Sequence, residues 1–218
     1  MIGMRPEPTC PRCASPLRPP GLWSKDWQCQ THGAVLPFRA LPRIGAEGLQ
    51  QTAANAAVPL WVPTPQPSGW LVSGVGAAGD ERQGVQATVL ALSGPAPLGG
   101  PAEFLLVAEE PGVGLGAAYA GLAGPDPGEG FDTSAPHARV EAAGHPTALW
   151  SLPTSSACAA FVGEGMGLWL WAVLWPLEAG VLMLEELRLA DLREWPALAE
   201  SLPYGALSPR LVPPRPAA

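Results

Sequence analysis

Cysteine and histidine are scarce in this chain, four and three in 218 residues, and four of those seven fall into one pattern. Cys10-Pro-Arg-Cys13 is followed by fifteen residues and then Cys29-Gln-Thr-His32. Two pairs, each with a two-residue gap, can bring three thiolates and an imidazole to one tetrahedral ion at roughly 2.0 to 2.3 Å, the geometry of a structural zinc site. With all four positions filled by protein, no place is left for water or substrate, so the expected zinc is structural and not catalytic. Gly33 follows the last ligand, where the backbone can need a positive φ, whereas Ala14 stands at the equivalent place after Cys13. The alternative is a set of unligated thiols beside a surface histidine.

A second stretch with chemical potential is Glu109-Glu110-Pro111-Gly112-Val113-Gly114-Leu115-Gly116-Ala117. A strand ending at Ala108, a glycine-rich turn and a helix start would let backbone amides cradle an anion. The run from Gly112 also fits the loose Gly-x-Gly-x-x-Ala pattern of nucleotide loops. Against this, two adjacent carboxylates would repel a phosphate, and no later strand ends in the acidic residue that a dinucleotide fold needs. Glu109 and Glu110 could instead work with Asp126 as an acid and base pair or hold a hard cation. Neighbours on a strand point to opposite faces, so only one of the two carboxylates should face inward. The candidate ligand-binding residues are therefore Glu109, Glu110, Gly114, Gly116 and Asp126, against a plain tight turn with solvated carboxylates. His137 and His145 could meet across a turn, but no nucleophile accompanies them. Cys158, set among alanines, reads as a small buried residue. No nucleophile elbow, Walker loop or zinc-protease motif occurs.

The elements that must position these groups centre on Gly165 to Leu187, where three of the nine tryptophans fall within seven positions. From Leu168 to Trp175 both alternating sets are apolar, with Trp169, Trp171, Val173 and Trp175 on one face and Leu168, Leu170, Ala172 and Leu174 on the other. Such a strand must be covered on both sides. Pro176 and Gly180 bracket a turn, and Val181 to Leu184 is expected to return as a second strand of a central hairpin. Only thirteen residues separate Glu164 from Glu178, too few for a membrane helix, which needs about 20. Further strands are expected near 60–62, 70–77, 85–92, 103–108, 139–143, 148–152 and 159–162, with a hairpin loop at Gly79 to Gly84. Helices are expected at 115–122 and 192–202.

A run of strands rather than strand and helix in alternation gives an α+β fold, in which a small N-terminal zinc ribbon precedes a largely antiparallel or mixed β-sheet domain with a few short helices. Residues 1–41 read as the ribbon, with strands at Leu22 to Gln28, including Trp23 and Trp27, and at Ala34 to Phe38. Residues 42–57 read as a linker, 58–212 as the main domain and 213–218 as a frayed tail. Gly and Pro together number 54 and lie between apolar runs, where they act as turns.

Charge is distributed unevenly. Residues 1–45 carry six basic against two acidic groups, hence +4, and the remainder six against seventeen, hence −11. A domain that acidic repels nucleic-acid backbones, so only the ribbon, with Arg12, Arg18, Lys25, Arg39 and Arg43, could contact phosphates. The first residues lack the apolar run of a signal peptide, so the expected compartment is the cytoplasm, where close cysteine pairs serve metals more than disulfides.

Several longer motifs carry a resemblance. The CPRC pair, WQC and HG around the second pair, GPAPLGG before Pro101, LLVAEEPGVGLGAAYAG from Leu105, GPDPG from Gly124, GLWLWA from Gly167 and GALSPRL near the end resemble an uncharacterised actinobacterial family in which a zinc ribbon precedes one domain of unknown function. The resemblance implies no activity. On the residues, the expected function is that of a cytoplasmic, non-enzymatic binding or adaptor protein with a protein partner and no membrane association. An enzyme or small-ligand binder using the turn after Ala108, binding a nucleotide or anion, and a nucleic-acid-associated factor using the ribbon are the alternatives.

Overall fold

The computed structural model describes residues 7–22, 24–154 and 158–212. Trp23, assigned by sequence to the incoming ribbon strand, and the tail 213–218, expected to fray, lie outside them. In chain order the strands are β1 (Gln28–Cys29), β2 (Gly33–Ala34), β3 (Phe38–Ala40), β4 (Trp61–Pro63), β5 (Leu71–Asp80), β6 (Gly84–Pro95), β7 (Pro101–Glu109), β8 (Ala138–Ala142), β9 (His145–Leu152), β10 (Ala159–Gly165), β11 (Leu168–Trp175) and β12 (Leu187–Asp191). Among the described residues, three short α-helices, α1 (Ala46–Ala54), α2 (Leu115–Ala120) and α3 (Leu198–Ser201), and a 3-10 helix at Leu177–Leu184 complete the set. The protein is thus mostly β-sheet with a few short helices.

Strands β1 and β2 form a two-stranded ribbon, and the other ten form one sheet in the order β3-β5-β6-β7-β11-β10-β9-β8-β12-β4. Neighbours pair antiparallel throughout, except that β12 runs parallel to β8. A sheet of this width curls because each strand twists. Here the curl brings the residues before β4 back to β6: the Ala57 amide donates to the Val85 carbonyl at 3.0 Å, and Thr88 Oγ1 donates to the Pro59 carbonyl.

The curl gives β11 the two-sided cover its sequence requires. Leu170, Ala172 and Leu174 join Leu90, Leu92, Phe104 and Leu106 in an inner core that also holds Val140, Leu149, Leu187 and Leu189 from the far strands. Trp171, Val173 and Trp175 lie on the outer face with Val89, Leu105, Val107 and Val162, where Leu115, Ala117 and Tyr119 of α2 cover them.

Two expectations about this centre are corrected. The hairpin containing β11 is formed with β10, not with the residues after it, and turns at Met166 and Gly167, both at positive φ, as a two-residue hairpin turn prefers. Val181 to Leu184 is not a strand but the end of the 3-10 helix, with Ala179, Leu182 and Met183 buried. An unbroken apolar run has no period with which to separate the two.

The loop at Gly79 to Gly84 does join β5 and β6, and α2 lies inside the expected helix. The helix expected over 192–202 shrinks to α3. Within 42–57, read as a linker, α1 buries Leu49 and Ala53 in the inner core. The ribbon strands are shorter than expected, and β3, next in the chain, pairs with β5 of the large sheet.

Candidate metal centre and the turn it braces

The Cys10, Cys13, Cys29 and His32 donor atoms all lie within 4.8 Å of one another, with the three cysteines buried. Their spacing matches a coordination shell. Cys10 Sγ and Cys29 Sγ lie 3.5 and 3.6 Å from His32 Nδ1, and Cys13 Sγ lies 3.7 Å from Cys29 Sγ. A tetrahedron with metal–sulfur bonds of about 2.3 Å and a metal–nitrogen bond of about 2.0 Å has edges of roughly 3.5 to 3.8 Å. The four residues could therefore hold a metal ion through three sulfurs and Nδ1.

Local backbone geometry explains how they converge. Ala14 and Gly33 each follow a ligand pair and both adopt left-handed φ, 54° and 69°. The two knuckles are therefore alike, and alanine accepts in the first what glycine supplies in the second. The Ala14 amide donates back to the Cys10 carbonyl at 2.8 Å, which closes that knuckle. Burial pushes the Cys10 thiol up to about 12, and burial with the Arg12 guanidinium lowers the His32 imidazole from its ordinary value. A neutral ring ready to ligate is the result, while a cation would supply the charge that a buried thiolate lacks.

Arg12, between the first two ligands, turns away from the metal shell into the main domain. Its Nε donates to the Val113 carbonyl at 3.1 Å and its Nη2 donates to the Gly112 carbonyl. The receiving turn is the glycine-rich one. Gly114 sits at φ 85°, and a Cβ there would come within 3.1 Å of both Arg12 and the Pro125 backbone.

The turn's own amides are filled from within. Glu109 is fully buried, and its carboxylate accepts from the Leu115 amide at 2.7 Å and the Gly116 amide at 3.1 Å. These are amides of the first turn of α2, where the sequence offered an external anion as an alternative to a plain tight turn; the chain supplies its own carboxylate instead. Burial drives the Glu109 pKa up to about 8, against the two amide bonds, which favour the charged form; the nearby Asp126 charge adds to the rise. The Trp171 indole N–H is close enough to ease that shift slightly but makes no full hydrogen bond. Gly116 lies against the same indole so closely that a Cβ would fall 2.3 Å from its ring. Tyr119, also buried, is pushed up by burial and by Glu109, and its hydroxyl donates to the Leu211 carbonyl.

The other expected site residues divide. Asp126 does reach the turn: its Oδ1 accepts from the Gly112 amide at 2.8 Å and from Trp169 Nε1 at 2.9 Å. Glu110 is only half-buried, and its amide donates to the Gln86 carbonyl, so one of the two adjacent carboxylates faces in, as strand alternation requires. His137 and His145 do not meet, since Ala138 pairs with Leu149 and Ala142 with His145 at opposite ends of the β8–β9 ladder. The basic residues of the N-terminal segment are partly engaged within the chain: Arg12 as above, and Arg39 over the Trp27 ring at 5.4 Å. On sequence alone Arg12 reads only as a phosphate contact. Its place inside the first ligand pair could have flagged a residue that braces the knuckle.

A family model matches residues 4–211, almost the entire chain. The chain belongs to a family of unknown function (DUF6758). The motifs quoted above therefore lie within one family domain whose description names no activity. No curated protein and no solved structure matches the chain. Among the described residues, no helix is long and apolar enough to cross a membrane.

Proposed function

We propose that this family member is a cytoplasmic, non-enzymatic binding or adaptor protein, stapled by one structural zinc in an N-terminal ribbon and acting through contacts with a protein partner. The observation that carries this reading is that both places where chemistry could sit are filled from within the chain. Four protein donors lie within 4.8 Å of one another, three of their separations at the edge lengths a tetrahedral site would have, and the helix-start amides are taken by Glu109. Three sulfurs and one nitrogen suit zinc, which needs no fifth partner in a structural role. The commitment of Arg12 to the turn weighs against nucleic-acid binding, because its guanidinium is not free for phosphate. Cobalt substitution tests the closed shell. A tetrahedral cobalt spectrum that azide leaves unchanged supports the structural role, whereas a spectrum that azide shifts would mean an open coordination position and an enzyme.

One observation favours a second reading. An open cleft of about 300 Å³ lies between the ribbon and the turn, lined by Arg12, Asp26, Gln83, Gln86, Gly112 and Val113. Its polar lining suits a small hydrogen-bonding ligand. Thermal-shift screening of polar metabolites against the intact chain and Gln86→Ala separates the readings: a stabilising compound that loses its effect in the variant selects the cleft.

A further inference from the structure

Three half-buried aromatic side chains meet on the outer face of the sheet. Trp169 of β11 shares that face with Trp171, and so does Trp150 of β9, because Val162 of β10 lies opposite both Trp150 and Trp171. Phe131, from the glycine- and proline-rich loop that follows α2, touches both, with its ring centroid 5.8 Å from that of Trp150 and 5.6 Å from that of Trp169. The Phe131 ring stands at 85° and 84° to theirs, so the three form a corner and not a flat platform. The same loop takes both indole N–H groups: Trp169 Nε1 donates to Asp126 Oδ1 at 2.9 Å, and Trp150 Nε1 donates to the Ser134 carbonyl at 2.8 Å. With those donors satisfied, the π surface of the rings is what remains for a partner.

What surrounds the rings selects their occupant. Asp126 is bonded to one indole, Glu164 lies directly opposite Trp169 across the strand pair, and the exposed Asp132 follows Phe131 in the chain. Against these carboxylates stands Arg139, opposite Ala148 and so diagonal to Trp150 on the same face. Elsewhere the chain's own arginines lie over tryptophan rings, Arg39 over Trp27 at 5.4 Å and Arg210 over Trp175 at 5.2 Å; among the described residues none lies over this trio. The negative face of an aromatic ring attracts a cation, and carboxylates beside it strengthen the attraction while repelling an anionic partner. A right-angled corner suits a compact charged group, whereas a sugar ring or a base needs an open flat face. We propose that Phe131, Trp150 and Trp169 receive a cationic side chain, arginine or lysine, from a basic segment of a partner protein. This inference rests on the adaptor reading and gives that partner a chemistry.

The test uses the full, zinc-loaded chain with isotope-labelled tryptophan indoles, and short peptides in which Gly-Ser spacers separate arginine, citrulline or glutamate. Citrulline keeps the shape of arginine without its charge. At physiological salt, the arginine peptide should bind at least about tenfold tighter than the citrulline peptide and should shift the indole N–H signals of Trp150 and Trp169. Phe131→Leu/Trp150→Leu keeps apolar bulk without the rings and, with its melting temperature checked, should lose that preference. Asp132→Asn/Glu164→Gln changes exposed positions alone and should weaken arginine-peptide binding about threefold. Equal affinity for the arginine and citrulline peptides, or a preference that survives in Phe131→Leu/Trp150→Leu, overturns the proposal. Should that variant fail to fold, unchanged affinity in Asp132→Asn/Glu164→Gln overturns it instead. A methyl glucoside that shifts the two indole signals where the arginine peptide does not makes a sugar the occupant, and self-association that Phe131→Leu/Trp150→Leu abolishes makes it a second copy; either result overturns the proposal. Cobalt spectra of the same preparations keep the two ideas apart: a closed shell with no arginine preference rejects the aromatic site alone, and an open shell rejects the adaptor reading whatever the peptides do.

Discussion

Ala14 and Glu109 hold a conformation and a charge state that their residue types do not prefer. Ala14 occupies a left-handed backbone position that costs a residue with a Cβ about 1 kcal/mol or more. Ala14→Gly should therefore tighten the metal knuckle by about 0.5 to 1 kcal/mol after the extra freedom of glycine in the unfolded chain is subtracted, measured by chelator competition. A weaker site in the variant would mean that the knuckle is not under strain. Glu109 is held near 8 when folded, against an ordinary value of 4.5. Between those values the folded chain keeps a proton that the unfolded chain has released. The stability this contributes is complete below about pH 4.5 and is lost as pH rises through 8, on the order of a few kcal/mol across the window. Glu109→Gln removes the titration but turns an amide donor toward one of two amide donors, so it should cost about 1 to 3 kcal/mol at low pH and flatten the slope. Urea denaturation of both proteins at several pH values should show the difference shrinking from pH 5 to 8.5. Strand alternation made only one of Glu109 and Glu110 inward without saying which, and the clustering of Cys10, Cys13, Cys29 and His32 was legible in the sequence because spacing is a local fact. That Glu109 would fill the very amides assigned to a ligand was not, because that is settled by how α2 packs on β11.

At the scale of elements, the strand Leu168–Trp175 was legible to its ends because both of its alternating sets are apolar. The segment after it was misread because apolar content without period fits strand and 3-10 helix equally. α2 is held to the sheet by two devices, the Glu109 carboxylate at its start and the close approach of Gly116 to Trp171. Gly116→Ala would place a methyl 2.3 Å from the indole ring, so the helix or the ring must move. Overpacking of that kind costs about 1 to 3 kcal/mol, and a lower denaturant midpoint with shifted tryptophan fluorescence should report it. A variant as stable as the parent would mean that α2 is not fixed against β11. The parallel pairing of β12 with β8 and the burial of α1 were invisible to local reading, since each depends on residues brought together only when the sheet curls.

For the whole molecule, the ribbon and the sheet are linked through Arg12, which lies inside a ligand pair and donates to two carbonyls of the turn that carries α2. Metal loss should therefore loosen more than the ribbon. Hydrogen exchange after chelation should speed up across residues 8–40 and also across the turn at 111–117, while β6, β7 and β11 stay protected. Arg12→Ala should uncouple the two, leaving exchange at the turn fast whether or not metal is bound. The central claim is a closed, structural zinc, and X-ray absorption with metal analysis of the intact chain tests it most directly. One zinc per chain, with three sulfurs near 2.3 Å and one nitrogen near 2.0 Å in the first shell, is the predicted result. Less than about half an equivalent of zinc in undamaged protein, or an oxygen in that shell, would contradict it.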